Sequence, residues 1–308
     1  MHFDIQTIRE FLETKYNYVH DVEPVADGWW SQALTFYSGE EKLVLRINQH
    51  PVDFQKDVFA YHQFNGPALR IPEIKSAGNF NPDYFYCVSE FIDGIPSDRI
   101  LLSENLDSHL SLANIILDQL DQIHALDTSS FQGWGYTGAR GNGLFNTWPE
   151  FLLSIHNSKY AASWQELAAS TWLNGALFEQ LLQKMEIFFP QLPMDKHVLH
   201  GDYGFDNLLL GPDQKVVAVI DWAEMMLGDP LYDLVHMCEP WVQRNGLNYI
   251  DLWKKRKEEK GETIKNFDAR LQCYNIQYTL FHMHIHTVRK EEEEYREVER
   301  WAMDNLLQ

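Results

Sequence analysis

The chain has little of what would place it outside a reducing compartment. Its 308 residues include three cysteines, Cys87, Cys238 and Cys273. They show no metal-ligand spacing, and an odd count leaves one thiol over in any disulfide scheme, so neither a zinc module nor a disulfide-stapled domain is expected. Met1-His2-Phe3-Asp4 lacks the basic start and apolar run of a signal peptide. No uninterrupted apolar run approaches the roughly 20 residues that span a bilayer. A cytoplasmic protein with no membrane partner is therefore the expectation. Basic charge is scarce too: 25 Lys and Arg stand against 45 Asp and Glu, a net charge of −20. That balance repels nucleic acid and anionic lipid and favours a cationic partner. The excess is not local, because residues 1–93 carry 7 basic and 14 acidic side chains and the remainder 18 and 31. Internal repeats are missing. The acidic run Glu291–Glu294 reads as the solvated face of a helix.

What is present is globular. A hydrophobic content of 45% and a charged content of 23% suit one large domain or two lobes. Apolar Ile5, Ile8, Phe11 and Leu12 predict a helix over Asp4 to Lys15. Alternating runs at 33–37 and 42–47, split by Ser38-Gly39-Glu40-Glu41, predict a hairpin. A helix from Asp53, as cap, to Phe64 follows, then strands near 73–77 and 84–91. Asp93-Gly94 reads as a crossover. Beyond it the pattern turns helical, with a long helix over 107–125, a glycine-rich loop over 131–146, and helices near 148–155 and 174–189. Strands recur over 197–221, and four helical segments close the chain.

The densest chemistry lies in His200-Gly201-Asp202-Tyr203-Gly204-Phe205-Asp206-Asn207, followed by Asp221-Trp222. The apolar runs Val198-Leu199 and Val216 to Ile220 frame these residues as strand, tight loop, strand and second acidic loop. Asp202, Asn207 and Asp221 then fall at neighbouring strand ends. Phosphoryl transfer needs such a set: one carboxylate for the hydroxyl proton, and an amide oxygen plus a second carboxylate for Mg²⁺.

His-Gly-Asp-x-x-x-x-Asn, then Ile220-Asp221-Trp222, then Gly228-Asp229-Pro230 resembles the aminoglycoside phosphotransferase and choline kinase family. Leu43 to Asn48, Gly133-Trp134-Gly135 through Gly143, and Thr147-Trp148 are also similar to a member of it. The resemblance implies an α+β, two-lobed, protein-kinase-like fold. A small mixed N-lobe with an antiparallel sheet would bind nucleotide over residues 1–93. A larger, mainly helical C-lobe over 94–308 would carry catalysis and the acceptor.

By the same resemblance, Asp202 is the catalytic base, and Asn207 and Asp221 hold Mg²⁺. ATP or GTP is the phosphoryl donor. Arg46 stands where kinases carry a strand lysine, and Asp57 where they carry its glutamate partner. Ser31 is placed at the phosphates. The carbonyl of Glu90 and the N–H of Ile92 are placed at the adenine edge. Asp229 either supports the catalytic loop or caps the helix that begins at Pro230.

The chain departs from the protein-kinase pattern in having no G-x-G-x-x-G in its first hairpin, where Asp27-Gly28-Trp29-Trp30-Ser31-Gln32 sits, and no D-F-G. Arginine for lysine changes the donor geometry. The missing Gly-rich loop and D-F-G argue against a protein kinase, while Arg46 for lysine and Asp57 for glutamate keep a nucleotide-binding pseudokinase open beside an enzyme. The acceptor is expected to be a small cationic molecule such as an aminoglycoside, with choline or an amino sugar of housekeeping metabolism as the alternative. Candidate acceptor contacts are Asp206, Glu224, Asp233 and Glu239, with Trp148 and Trp241 as stacking surfaces. On a helix His282 and His286 share a face and His284 points away, so no metal site is expected there. Nothing in the sequence indicates an oligomeric state.

Overall fold

A computed structural model describes residues 2–27, 31–101, 106–157, 162–238 and 247–307. The chain forms two compact units. The first takes Met1–Ile100, Gly138–Gly141 and Phe205–Glu224; the second takes Leu101–Thr137, Asn142–Gly204 and Met225–Gln308.

The first unit is built on an antiparallel five-stranded sheet, in the order Val19–Asp27, Gln32–Ser38, Glu41–Asn48, Phe85–Glu90, Ile74–Asn79. Along Glu41–Asn48, Leu43, Leu45 and Ile47 are buried and join Leu34, Phe36 and Val88 in the core. Ile8 and Leu12 of the helix Ile5–Glu13 close this core. Asp4 caps that helix by accepting the Thr7 N–H at 2.9 Å. Because side chains alternate along a strand, Arg46 faces away from Leu45 and Ile47.

The helix expected from Asp53 starts earlier, at Pro51, with His50 at the cap position. Proline presets the first-turn φ and lacks an N–H that would go unsatisfied there. Asp53 instead accepts a 3.2 Å hydrogen bond from the Asn48 side chain. This helix, Pro51–Phe64, buries Phe54, Lys56, Asp57, Ala60 and Phe64.

The strand Val19–Asp27 was not legible in the pattern. Tyr18 and Asp21 have φ of 53° and 48°, and the pairing with Gln32–Ser38 breaks register twice. Each irregularity destroys the period-two signal.

Residues 205–224 form a hairpin, Leu208–Leu210 with Val216–Val219, extended by Ile95–Pro96. It is tied to the rest of the first unit by Val219 N–H to the Arg70 carbonyl at 2.9 Å and by Ser97 Oγ to the Phe205 carbonyl at 2.6 Å.

The second unit is mainly helical: Leu106–His124, Trp148–Leu152, Trp164–Ser170, Gly175–Glu186, Pro230–Cys238, Tyr249–Glu259, Phe267–Arg289 and Glu292–Asn305. Phe267–Arg289 is buried along most of its length, as a helix at the middle of a core must be. A small sheet accompanies the helices, in the order Gly143–Phe145, Trp134–Thr137, Met226–Gly228, His197–Leu199. The stretch expected to be a loop over 131–146 thus contains two strands. Gly133, Gly135 and Gly141 all have positive φ, so turns interrupt the short strands before any periodicity develops. Gly228 has no substitute, since a Cβ there would lie 2.4 Å from the Trp148 ring. Among the described residues no helix is long and apolar enough to cross a membrane.

Candidate active site

In the first unit the structure brings Arg46, Asp57 and Asp221 together. The Arg46 guanidinium pairs with Asp57, and its second terminal nitrogen lies 3.1 Å from Asp221 Oδ1. The Phe54 ring packs 5.5 Å from the guanidinium carbon. Asp57 is buried, and it also accepts the Trp222 N–H at 2.9 Å. Burial pushes the Asp57 carboxyl up to about 6; the neighbouring Asp221 charge adds to this and Arg46 opposes it. Two carboxylates sharing one guanidinium leave a net negative charge, which is the condition for raising one of them. Burial disfavours the Arg46 charge, but the two carboxylates hold its pKa above the ordinary value.

The hairpin register sets Asn207 beside this group. Leu208 pairs with Val219, and Ile220 N–H donates to the Asn207 carbonyl at 2.9 Å. Asn207 is therefore across from Ile220 and one residue from Asp221. Asp221 adopts φ of 60°, the left-handed region that side chains seldom enter and that Asp tolerates better than most residues. Its Oδ1 is buried and, despite its nearness to Arg46, accepts no hydrogen bond from the described residues. A shielded carboxylate oxygen with spare capacity, next to an amide residue, fits a small hard cation such as Mg²⁺.

The second unit holds Asp202. Its side chain is exposed, between buried Gly201 and buried Tyr203. Gly201 has φ of 82°, a conformation that explains glycine there. The Tyr203 hydroxyl donates to the Ile116 carbonyl at 2.8 Å. The loop backbone is held by Asp233, which accepts the His200 N–H at 3.0 Å and the Gly201 N–H at 2.9 Å. His124 Nε2 lies 3.0 Å from the same carboxylate. Burial alone would raise the Asp233 carboxyl, but His124 and the Gly201 N–H hold it below the usual range.

Several expectations change here. Asp233, taken from the sequence as an acceptor contact, is fully buried and committed to the loop. Of the two roles left open for Asp229, the helix cap is the one the structure gives it, and the N–H groups of His200 and Gly201 are held by Asp233. Asp229 accepts the Leu231 N–H at 3.1 Å as a helix cap, and it pairs with Arg270 and with the Tyr274 hydroxyl. Trp148 is no stacking surface: its ring is buried and its Nε1 donates to Tyr274 Oη at 3.0 Å. The apolar neighbours Leu231-Tyr232 and Leu234-Val235 signal that Asp233 is buried and needs partners, but not which backbone groups it holds.

Asp206 is exposed and Glu224 half-buried. Glu239 and Trp241 lie outside the described residues, as do 28–30, while half-buried Ser31 immediately precedes its strand. Glu90 ends the strand Phe85–Glu90, its N–H donating to the Glu73 carbonyl and its side chain pairing with Arg70 at 2.7 Å; half-buried Ile92 follows. His282 Nδ1 lies 3.2 Å from His286 Nε2, while His284 Nε2 lies 2.9 Å from the Ala162 carbonyl. The two faces are those the spacing implied.

A strand arginine, a helix carboxylate paired with it, and two motif loops with Asp, Asn and Asp are the parts of a kinase-like phosphotransferase. Residues 21–264 match the phosphotransferase enzyme family, and the chain belongs to that family. Hygromycin-B 4-O-kinase of Escherichia coli is 30% identical over 239 residues, covering 77% of this chain and 67% of that protein. The crystal structure of a thermostable mutant of aminoglycoside phosphotransferase APH(4)-Ia, in ternary complex with ADP and hygromycin B, aligns over 96% of both chains with a TM-score of 0.81 at 25% identity. The fold is thus the α+β kinase-like fold of aminoglycoside phosphotransferases. Human acyl-CoA dehydrogenase family member 11 is 30% identical over 122 residues, and the match spans 14% of its length.

Proposed function

We propose that the chain transfers the γ-phosphoryl group of ATP or GTP to a hydroxyl of an aminoglycoside, with Mg²⁺ as cofactor. The observation that carries this reading is the bridging of Asp57 and Asp221 by Arg46 in the unit that also holds Asn207. Support for the acceptor class comes from the hygromycin-B kinase relative and from the related structure that holds hygromycin B.

In this reading residues 1–93, with Asn207 and Asp221, bind the nucleotide. Ser31 and Arg46 face its phosphates. The Glu90 carbonyl and Ile92 N–H take the base edge. Asn207 and Asp221 would hold Mg²⁺, which when bound neutralises charge on the β- and γ-phosphates. Asp202 orients the acceptor hydroxyl and takes its proton as the oxygen–phosphorus bond forms and the bond to the bridging oxygen breaks. Because the transition state is loose, positioning outweighs the basicity of Asp202. Exposed Asp206 and half-buried Glu224 supply negative charge for an ammonium-bearing acceptor, since each ammonium leaving water needs a partner.

The test is mass spectrometry of reactions with ATP or GTP, with and without Mg²⁺, over hygromycin B, kanamycin, spectinomycin, choline and an amino sugar. A phosphorylated aminoglycoside, formed only with Mg²⁺, is the expected result. Phosphorylated choline or amino sugar alone would reject the acceptor class. No product with any acceptor would reject the enzyme.

A further inference from the structure

The helix Pro51–Phe64 does more than present Asp57. Lys56, its neighbour, is 5% exposed, an unusual place for an ammonium. Its Nζ donates to the Ala223 carbonyl at 2.7 Å. Asp57 accepts the N–H of Trp222, the preceding residue, and the Phe64 ring lies 6.1 Å from the Trp222 ring. Two consecutive helix residues therefore grip two consecutive residues of one loop, Asp57 by an amide N–H and Lys56 by a carbonyl. The residue immediately before the grip is Asp221, whose φ of 60° is a strained conformation that persists only where its surroundings over-determine it.

We infer that Lys56 is a positioning residue for phosphoryl transfer: with Asp57 it clamps Trp222 and Ala223, and so holds Asp221 in the left-handed conformation that directs its carboxylate to Arg46 and the cation. The inference rests on the kinase reading for its consequence and on the loop geometry for its cause. Lys56 touches no phosphate in this scheme. A fixed carbonyl, donor and backbone turn set the direction of a ligand carboxylate, and disturbing such outer contacts lowers metal affinity. Leaving the Ala223 carbonyl without its charged donor also frees the loop to relax toward ordinary φ.

The test compares Lys56→Met, which keeps the aliphatic stem, with Lys56→Ala and the unaltered protein. Calorimetry measures ADP binding with and without Mg²⁺, with GDP in its place if ADP does not bind. Hydrogen exchange measures the Trp222 amide in the nucleotide-free protein. Lys56→Met is expected to weaken Mg²⁺–ADP binding at least about tenfold, to leave metal-free ADP binding unchanged, and to speed exchange at Trp222. Wild-type exchange at Trp222 and wild-type Mg²⁺–ADP affinity in Lys56→Met, with only Lys56→Ala altered, would make Lys56 a packing residue and overturn the inference. If the unaltered protein binds neither Mg²⁺–ADP nor Mg²⁺–GDP, the kinase reading fails, and the exchange comparison alone decides the clamp.

Discussion

Two loops, one in each unit, carry an exposed or half-exposed aspartate, and each is anchored by a second, buried aspartate. In the first unit Asp57 accepts the backbone N–H next to Asp221. In the second unit Asp233 accepts two N–H groups next to Asp202. The partners differ. Asp233 has His124, with no working residue between them. Asp57 has Arg46, which it shares with Asp221. Asp233 is accordingly held below the usual carboxylate range, and Asp57 is raised to about 6. Hence an anchor that only holds backbone can be fully satisfied. In the proposed scheme Arg46 also serves phosphates, and an anchor that shares its guanidinium with a second carboxylate carries the raised pKa of a crowded, buried site.

The largest effect should come from removing the satisfied anchor. Asp233→Ala strands two buried amide donors and the His124 ring, and breaking a buried pair from one side costs about 3–5 kcal/mol. Urea denaturation should show that loss. A variant as stable as the parent would mean the loop does not depend on Asp233.

The next effect falls on turnover and spares the frame. Asp202→Asn should lower kcat by about 10²-fold or more while Mg²⁺–nucleotide affinity and Tm stay near those of the parent, because the Asp202 side chain is exposed. Equal losses in affinity and turnover would merge the two loops into one function and end the comparison.

Asp57→Asn sharpens the comparison. The amide oxygen still accepts the Trp222 N–H, so stability should fall by about 1.5–3 kcal/mol, the scale of one hydrogen bond to a charged group. Nucleotide affinity should fall more noticeably, because Arg46 is left to Asp221 alone and turns away from the phosphates. A stability loss matching that of Asp233→Ala would make the two anchors equivalent.

Much of this was readable from residue order. The three motifs singled out Asp202, Asn207 and Asp221, and the family resemblance singled out Arg46 and Asp57. The Arg46–Asp57 pair was accessible because the resemblance expects a carboxylate in the helix that follows the arginine's strand, and the structure pairs the two. Asp233 and Lys56 were not readable in their roles. Each bonds backbone atoms remote in sequence, 33 residues away for Asp233 to His200 and 167 for Lys56 to Ala223, and a backbone partner leaves no trace in side-chain identity. Trp148 was misread for a related reason: an aromatic suits both a ligand surface and a core, and only packing against Tyr232 and Tyr274 decides between them.

The smallest effect separates the units by pH. His236 in the second unit is shielded at Nε2, and burial takes its pKa down to about 4; burial and the nearby His286 and His236 also depress His282. Unfolded histidines take up protons near pH 6.5, so between about 6.5 and 4 the unfolded state binds more protons and this unit loses stability as pH falls. Asp57 in the first unit acts in the opposite sense. Its folded pKa of about 6 exceeds the unfolded value, so the folded state gains protons, and relative stability, as pH falls through the same window.

His236 is half-buried as a residue, so its share over that window should be about 1–2 kcal/mol, less than the roughly 3.4 kcal/mol that the drop from 6.5 to about 4 would give at about 1.4 kcal/mol per pH unit. Hydrogen exchange at pH 7.5 and 5.5, corrected for intrinsic rates, should show protection falling in Pro230–Cys238 and Phe267–Arg289 while Glu41–Asn48 holds. His236→Gln should reduce the acid loss in the second unit without moving the first. Parallel loss in both units, or an unchanged acid response in His236→Gln, would show that the histidines do not set the difference.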